Sequence, residues 1–213
     1  MKKDSYQKIL DQIQGTAVKL VVVSKTRSLD QIQSFYDREQ RMFGENRVPE
    51  LVEKHDKLPK DIQWHLIGHL QTNKVKYIAE FVALIHSVDS LKLLREINKQ
   101  AEKYNRKIAV LLQFKIAQEE SKYGLKKADL KQFKEEDYPW IIFRGVMGMA
   151  SFVDDKTQVT NEFSRLKAIF DDLKINFFPN HNDFTEISMG MSGDYEIALK
   201  EGSTMLRVGS LVF

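Results

Sequence analysis

The sequence predicts an α/β protein folded as one (β/α)8 barrel over residues 1–213, with an extra helix at its N-terminus. Three observations carry that prediction. Eight short apolar or β-branched runs follow one another, and each except the last is followed by a helical pattern. The joins are short, with no Pro/Gly/Ser-rich linker, low-complexity tract or internal repeat. The first run, VKLVVVSKT (residues 18–26), is apolar on both faces of a period-two alternation, as in a strand covered on both sides. A doubly wound open sheet is the alternative, and it rarely needs eight consecutive βα units in so short a chain.

Each element has its own signal. Tyr6, Ile9, Leu10 and Ile13 fall at helical spacing, and Gly15 follows as a stop. In the first strand Val21, Val23 and Lys25 share one face, and Leu20, Val22 and Ser24 the other. Lys25 is therefore expected on the core side at the strand's C-terminal end, where α/β folds place their chemistry. The competing reading is a lysine that snorkels to solvent. Ser28 is placed to cap a helix through about residue 39. RMFGEN (residues 41–46) holds a short strand ending at Gly44, and Pro49 stands near the start of a helix carrying Leu51 and Val52.

The third strand is read at residues 62–67, followed by GHLQTNK and a helix face of Val75, Ile78, Ala79 and Val82. The fourth is at 84–87, with Asp89 expected to cap the helix of Leu91, Leu94 and Ile97. Residues 108–114 form the fifth strand; the polar loop QEESKYG then leads to a helix around 128–135. The sixth begins at 140–143, before RGVMGMA and a helix with Phe163, Leu166 and Phe170 that Asp154 and Asp155 cap. The seventh covers 185–189, a short helix covers 195–199 and is ended by Gly202, and 205–208 is the eighth strand.

Composition narrows the function classes. Hydrophobic residues make up 42% and charged residues 30% of the chain, as in ordinary globular proteins. A net charge of +3 is too small to point to nucleic acid or an anionic membrane. There is no cysteine, which excludes disulfides and thiolate metal sites and fits a reducing compartment. The N-terminus, MKKDSYQKILDQIQG, lacks the apolar stretch of a signal peptide, and no run approaches a membrane span. A cytoplasmic location is expected.

If the barrel closes, its first and eighth strands lie about 5 Å apart. In TMLRVGS, Met205, Arg207 and Gly209 share one face and Leu206 and Val208 the other, so Arg207 should point inward beside Lys25. A buried guanidinium needs acceptors. A bound ligand and a distant acid both remain open as its partner. Barrel enzymes often hold phosphate in the loops after strands seven and eight. Here those loops are SMGMSGD (residues 188–194) and Gly209–Ser210, both small and hydroxyl-bearing. With an inward lysine and arginine they suit an aldehyde-bearing phosphate ester. Pyridoxal 5′-phosphate fits, with the lysine on its aldehyde and the arginine at its ring nitrogen.

The motifs VVSKT, FGENRVPE, WHLIGHLQTNK, EESKYG, RGVMGMA, EISMGMSGDYEIAL and TMLRVGS, in that order, resemble the YggS/PROSC family of pyridoxal-phosphate homeostasis proteins. The likeness runs from Val18 to Phe213. It implies a barrel similar to the alanine racemase N-terminal domain, with no well-established catalytic activity. It further implies that Lys25 is the Schiff-base lysine, that Asn46 and His65 lie near the cofactor, and that Ser188, Gly209 and Ser210 clamp its phosphate. Arg207 matches the arginine at the ring nitrogen. Two departures are mild: the family often has Thr at Ser210 and commonly Tyr or another residue at Arg47.

Chemistry also separates carrier from enzyme. An arginine stays protonated, so it only donates to the pyridine nitrogen and leaves the ring a poor carbanion sink. A racemase needs an acid/base group on each face. Lys25 serves one; in alanine racemase the other is a tyrosine from outside the barrel, and this chain ends three residues after Ser210. Tyr123 and Tyr195 are the local candidates, with packing and loop anchoring as the stronger reading of both. Met147, Met149, Met189 and Met191 are read as a soft wall at the mouth, with Met149 among the cofactor contacts, although methionine is more often core filler.

Other signals carry less. His65 and His69 have helical metal-pair spacing, but residues 64–67 read as a strand end, and no metal site is expected. Lys122, Lys126 and Lys127 around Tyr123 read as a solvated loop rather than a nucleic-acid patch. The expectation is a cytoplasmic monomer that stores, buffers or delivers pyridoxal 5′-phosphate to apoenzymes, with no nucleic-acid or membrane partner. A low-activity racemase and a cofactor-free Schiff-base aldolase are the alternatives.

Overall fold

The computed structural model describes residues 4–117 and 123–213. Eight parallel strands close into a barrel in chain order: β1 (Lys19–Val23), β2 (Met42–Glu45), β3 (Gln63–Leu66), β4 (Leu84–Val88), β5 (Ile108–Gln113), β6 (Ile141–Met147), β7 (Glu186–Ser188) and β8 (Met205–Val208). Closure is made by β1 against β8, in register from Lys19↔Met205 to Val22↔Val208. Around the strands run α1 (Ser5–Ile13), α2 (Leu29–Tyr36), α3 (Val48–Lys57), α4 (Leu91–Lys103), α5 (Lys156–Asn176) and α6 (Tyr195–Lys200).

The period-two alternation sorts side chains as the sequence implies. Val21, Leu84, Leu111, Met147 and Met205 pack together inside the barrel, while Leu20, Val22, Leu206 and Val208 join the larger core between sheet and helices. The lower end of the barrel is closed by an ion pair between Lys19 and Glu186, whose other carboxylate oxygen accepts from Thr204 Oγ1 at 2.9 Å. Helix α1 lies beside α2: Tyr6 meets Phe35 edge to face at 5.0 Å and donates to Gln40 Oε1 at 3.1 Å.

Several local expectations are corrected. Lys25 does not extend β1, because the strand stops at Val23 and Lys25 stands exposed in the following turn. The helix expected from Val75 to Val82 is a 3-10 helix over Thr72–Tyr77, and that expected at 128–135 is a pair of 3-10 turns, Lys127–Gln132 and Glu135–Asp137. Apolar spacing of three residues suits either helix type, so periodicity does not separate them. Asp89 does not cap α4: its carboxylate lies 2.8 Å from His69 Nδ1, and Ser90 Oγ accepts from Leu93 N instead. Asp155 does cap α5, through Thr157 N and Gln158 N. The expected cluster around Lys122 falls partly outside the described residues. No helix among the described residues is long and apolar enough to cross a membrane.

Strand β6 is longer than the sequence suggests because it carries a bulge: Val110 pairs with Phe143 and Leu111 with Gly145, skipping Arg144. Gly145 has φ +148°, and a Cβ there would sit 1.8 Å from Glu186 O. Gly145→Ala is therefore expected to lower stability by about 3 kcal/mol or more, read as a shifted urea midpoint. An unshifted midpoint would show that β6 and β7 separate freely.

Candidate functional site

The site forms where β1, β7 and β8, neighbours in the barrel, reach their C-terminal ends. Lys25 is exposed, and its amine has no partner among the described residues. The residues on either side are fixed: Ser24 N donates to Gly44 O at 3.0 Å, and Thr26 N donates to Glu50 Oε1 at 2.6 Å. Thr26 has φ +63°, a conformation an L-residue keeps only when its surroundings impose it.

Arg207 points inward as its alternation requires, but its register partner is Val21, two positions before the end of β1 at Val23 and so below the turn that carries Lys25. It is 4% exposed; Nη1 donates to Ser188 Oγ at 2.6 Å and Nη2 to Gly148 O at 3.1 Å. Burial pulls its pKa down to about 10, still above neutrality, so it remains a cation. A guanidinium carries five N–H groups, and those not used by Ser188 and Gly148 have no partner among the described residues.

A buried relay continues from Ser188 across the barrel. Ser188 Oγ lies 3.0 Å from His86 Nδ1, and His86 Nε2 lies 3.0 Å from His65 Nδ1. Because arginine only donates, Ser188 Oγ accepts from it. The hydroxyl proton then goes to His86 Nδ1, and His86 Nε2–H donates to His65, an assignment inferred from partners. Burial lowers the His65 pKa to about 3 and holds His86 well below its usual value, with the proximity of His65 and the Arg207 cation opposing a charge on His86. Both rings are neutral at ordinary pH.

The upper rim is built from two short loops. Ser192 Oγ accepts from Gly209 N at 3.4 Å and Leu211 N at 3.3 Å, tying the β7 loop to the β8 loop. The N–H groups of Ser192, Gly193 and Ser210 have no partner among the described residues. A Cβ on Gly209 would lie 3.0 Å from Val23 O, so glycine lets the β8 end approach the strand leading to Lys25.

The expected residues are therefore divided. Lys25, Gly209 and Ser210 lie at the rim. Asn46, half-buried after β2, has a side chain without a partner among the described residues. Met149 is half-buried against the interior cluster. Ser188 and His65 are buried in the relay with Arg207, so the hydroxyls at the rim are those of Ser192 and Ser210 rather than that of Ser188. Met189 belongs to the sheet–helix core, not to the mouth. Tyr123 stacks on His69 at 4.1 Å, and Tyr195 on α6 lies 3.4 Å from Glu196.

Sequence reasoning misses His86, Ser192, Glu45 and Lys54. His86 is in phase with the inward Leu84, a signal the alternation held. Lys54 gives none, since a lysine on a helix face reads as solvated. The donors present, an unpartnered amine, unspent guanidinium N–H groups and a rim of backbone N–H groups and hydroxyls, suit a small phosphate ester that carries an aldehyde.

Comparison with known proteins points the same way. Residues 3–213 match the alanine racemase N-terminal domain family. The chain is 37% identical over 198 residues to the pyridoxal phosphate homeostasis protein of Aquifex aeolicus, covering 92% of this chain and 86% of that one. PipY of Synechococcus elongatus, solved without and with PLP, superposes with TM-scores of 0.90 and 0.86 at 32% identity. Those superpositions cover 99% and 98% of this chain and 100% and 98% of PipY. Alanine racemase from E. faecalis shares the fold, with a TM-score of 0.77 at 13% identity over 97% of this chain and 55% of its own.

Proposed function

The chain belongs to the alanine racemase N-terminal domain family, among its pyridoxal phosphate homeostasis proteins, and from that premise we propose that residues 1–213 act as one barrel that binds, stores and delivers pyridoxal 5′-phosphate. The observation that carries this reading is the partnerless Lys25 amine at the mouth, with the cationic Arg207 below it and the β7 and β8 loops beside it.

When bound, the cofactor supplies an aldehyde for an amine to attack and a conjugated ring. Lys25 Nζ would hold it covalently, Arg207 would donate to its ring nitrogen, and Ser192, Gly193 and Ser210 would take its phosphate. Asn46 and Met149 would flank it. Ser188 and His65 would act through Arg207, by fixing the guanidinium in its plane.

The same residues favour a carrier over a dedicated catalyst. Arg207 keeps its proton, so it offers no acid at the ring nitrogen. Tyr123 is stacked on His69 and Tyr195 is bonded within its own helix, so neither local candidate is placed for a second acid/base role. We read the protein as a cytoplasmic monomer whose partners are apoenzymes that need the cofactor.

The test is to load the purified protein with pyridoxal 5′-phosphate, follow its visible absorption, and then add an apoenzyme. The expected result is a band that forms with the protein and declines as the apoenzyme gains activity, with no sustained turnover of amino acids. Absence of a band even with excess cofactor would sink the reading. Sustained racemisation would favour the enzyme alternative.

A further inference from the structure

We infer that Glu45, Lys54 and Glu50 form an ion cluster that sets the conformation of the Lys25 turn, so that Glu45 and Lys54 are positioning residues for covalent attachment at Lys25. This rests on the cofactor reading above. It assigns a task to two charged residues that the binding site itself does not use.

The geometry is specific to the turn. Lys54 Nζ donates to Ser24 O at 2.7 Å, Glu45 Oε1 at 2.7 Å and Glu50 Oε1 at 2.6 Å, which uses all three of its hydrogens. Glu45 Oε1 also accepts from Ser24 Oγ at 2.6 Å, and Glu50 Oε1 accepts from Thr26 N at 2.6 Å. The residue before Lys25 is thus held by its carbonyl and its hydroxyl, and the residue after by its amide. The Lys25 amine is left without a hydrogen bond or ion pair among the described residues. The left-handed Thr26 is the conformation those bonds enforce.

Stability does not explain the cluster. The side chains of Lys54 and Glu45 are 6% and 0% exposed, and Glu45 Oε2 has no hydrogen-bond partner. Burial raises the Glu45 pKa against the opposing pull of Lys54 and Ser24. A buried ion pair of this kind gains little over apolar residues of similar volume. Its contacts go instead to the backbone on both sides of one exposed lysine. A reactive amine needs this: displacement of about 1 Å is enough to cost on the order of 100-fold in rate.

The test uses Glu45→Gln/Lys54→Met, which removes the two buried charges together and leaves Glu50, whose side chain is 24% exposed and still accepts from Thr26 N, as the remaining ion. Three quantities are read on the full chain: melting temperature, the rate at which the visible band forms after mixing with pyridoxal 5′-phosphate, and hydrogen exchange of residues 24–26. The expected result is a folded variant whose band forms roughly 10- to 100-fold more slowly, with faster exchange at the turn. Lys54→Arg, which keeps donors for the same oxygens, should recover part of the rate. A double variant that attaches cofactor at the wild-type rate overturns the inference, whatever its melting temperature, because a merely structural cluster would alter only the melt. A wild type that forms no band overturns the cofactor reading instead, and unchanged exchange in the variant would then separately reject the role of the cluster in holding the turn.

Discussion

Lys25→Ala mixed with pyridoxal 5′-phosphate is expected to show no visible band at any cofactor concentration, while the wild type develops one. The effect is all or none because it depends on a single nucleophilic atom. Other lysines are plentiful, but among the described residues this is the one in the turn that follows β1, the strand paired with β8 and its Arg207. Lys25→Arg should fail as completely, since a guanidinium stays protonated and does not attack a carbonyl.

The fold should not register either change. Lys25 is exposed and its amine makes no hydrogen bond or ion pair among the described residues, so urea midpoints of Lys25→Ala and wild type should agree within about 0.5 kcal/mol. Cofactor should still associate reversibly with Lys25→Ala through the loops and Arg207, and dialysis should remove it. A band that persists in Lys25→Ala would move the attachment to another lysine and break the assignment. Loss of the band together with unfolding would show that Lys25 has a structural task the geometry does not reveal.

How much of this was legible in the sequence depends on what each residue signals locally. Strand order follows from the succession of eight βα units with short joins, and the inward direction of Arg207 from alternation, because in a closed parallel barrel one face must pack inside. The point where β1 stops is different. Val23 ends the strand because Ser24 turns its hydroxyl and carbonyl toward Glu45 and Lys54, residues 21 and 30 positions away. Ser188 shows the same limit. Its motif suggests a phosphate ligand, but its place in phase with Glu186 on β7 sends it into the barrel, where Arg207 and His86 take its hydroxyl. Ser192 reaches the rim because the chain has left the strand by then. Motif resemblance finds the neighbourhood; three-dimensional register decides which hydroxyls are buried and which reach the rim.

Acid should destabilise the protein well before its carboxylates titrate, and the buried histidines are the reason. His65 has a pKa lowered to about 3, and His86 is lowered well below the ordinary value, both chiefly by burial. In the unfolded chain each returns to about 6.5. Above that pH both states hold neutral rings, and the pair contributes no pH dependence. Below it the unfolded chain takes up two protons that the folded one refuses. Stability then falls with falling pH by about 1.4 kcal/mol per unit for each ring, continuing for His65 toward pH 3. Glu45 works the other way, since its raised pKa lets the folded state bind a proton first, but only near and above its usual value of 4.5.

Urea midpoints measured from about pH 7 down to about pH 5 should therefore show a loss of roughly 2–4 kcal/mol, a large share of the 5–15 kcal/mol typical of a domain. His86→Gln keeps an acceptor for Ser188 and a donor for His65 while removing one titrating ring, so it should halve the slope. A wild-type slope near zero would mean that the rings are solvated and charged when folded. Two cationic rings would then lie 3.0 Å apart, the nearer of them joined to Arg207 through Ser188, and a neutral relay holding the guanidinium would be untenable. The neutrality that makes the fold acid-sensitive is the same property that leaves Arg207 as the cation of the relay, with N–H groups to spare for a ligand at the mouth.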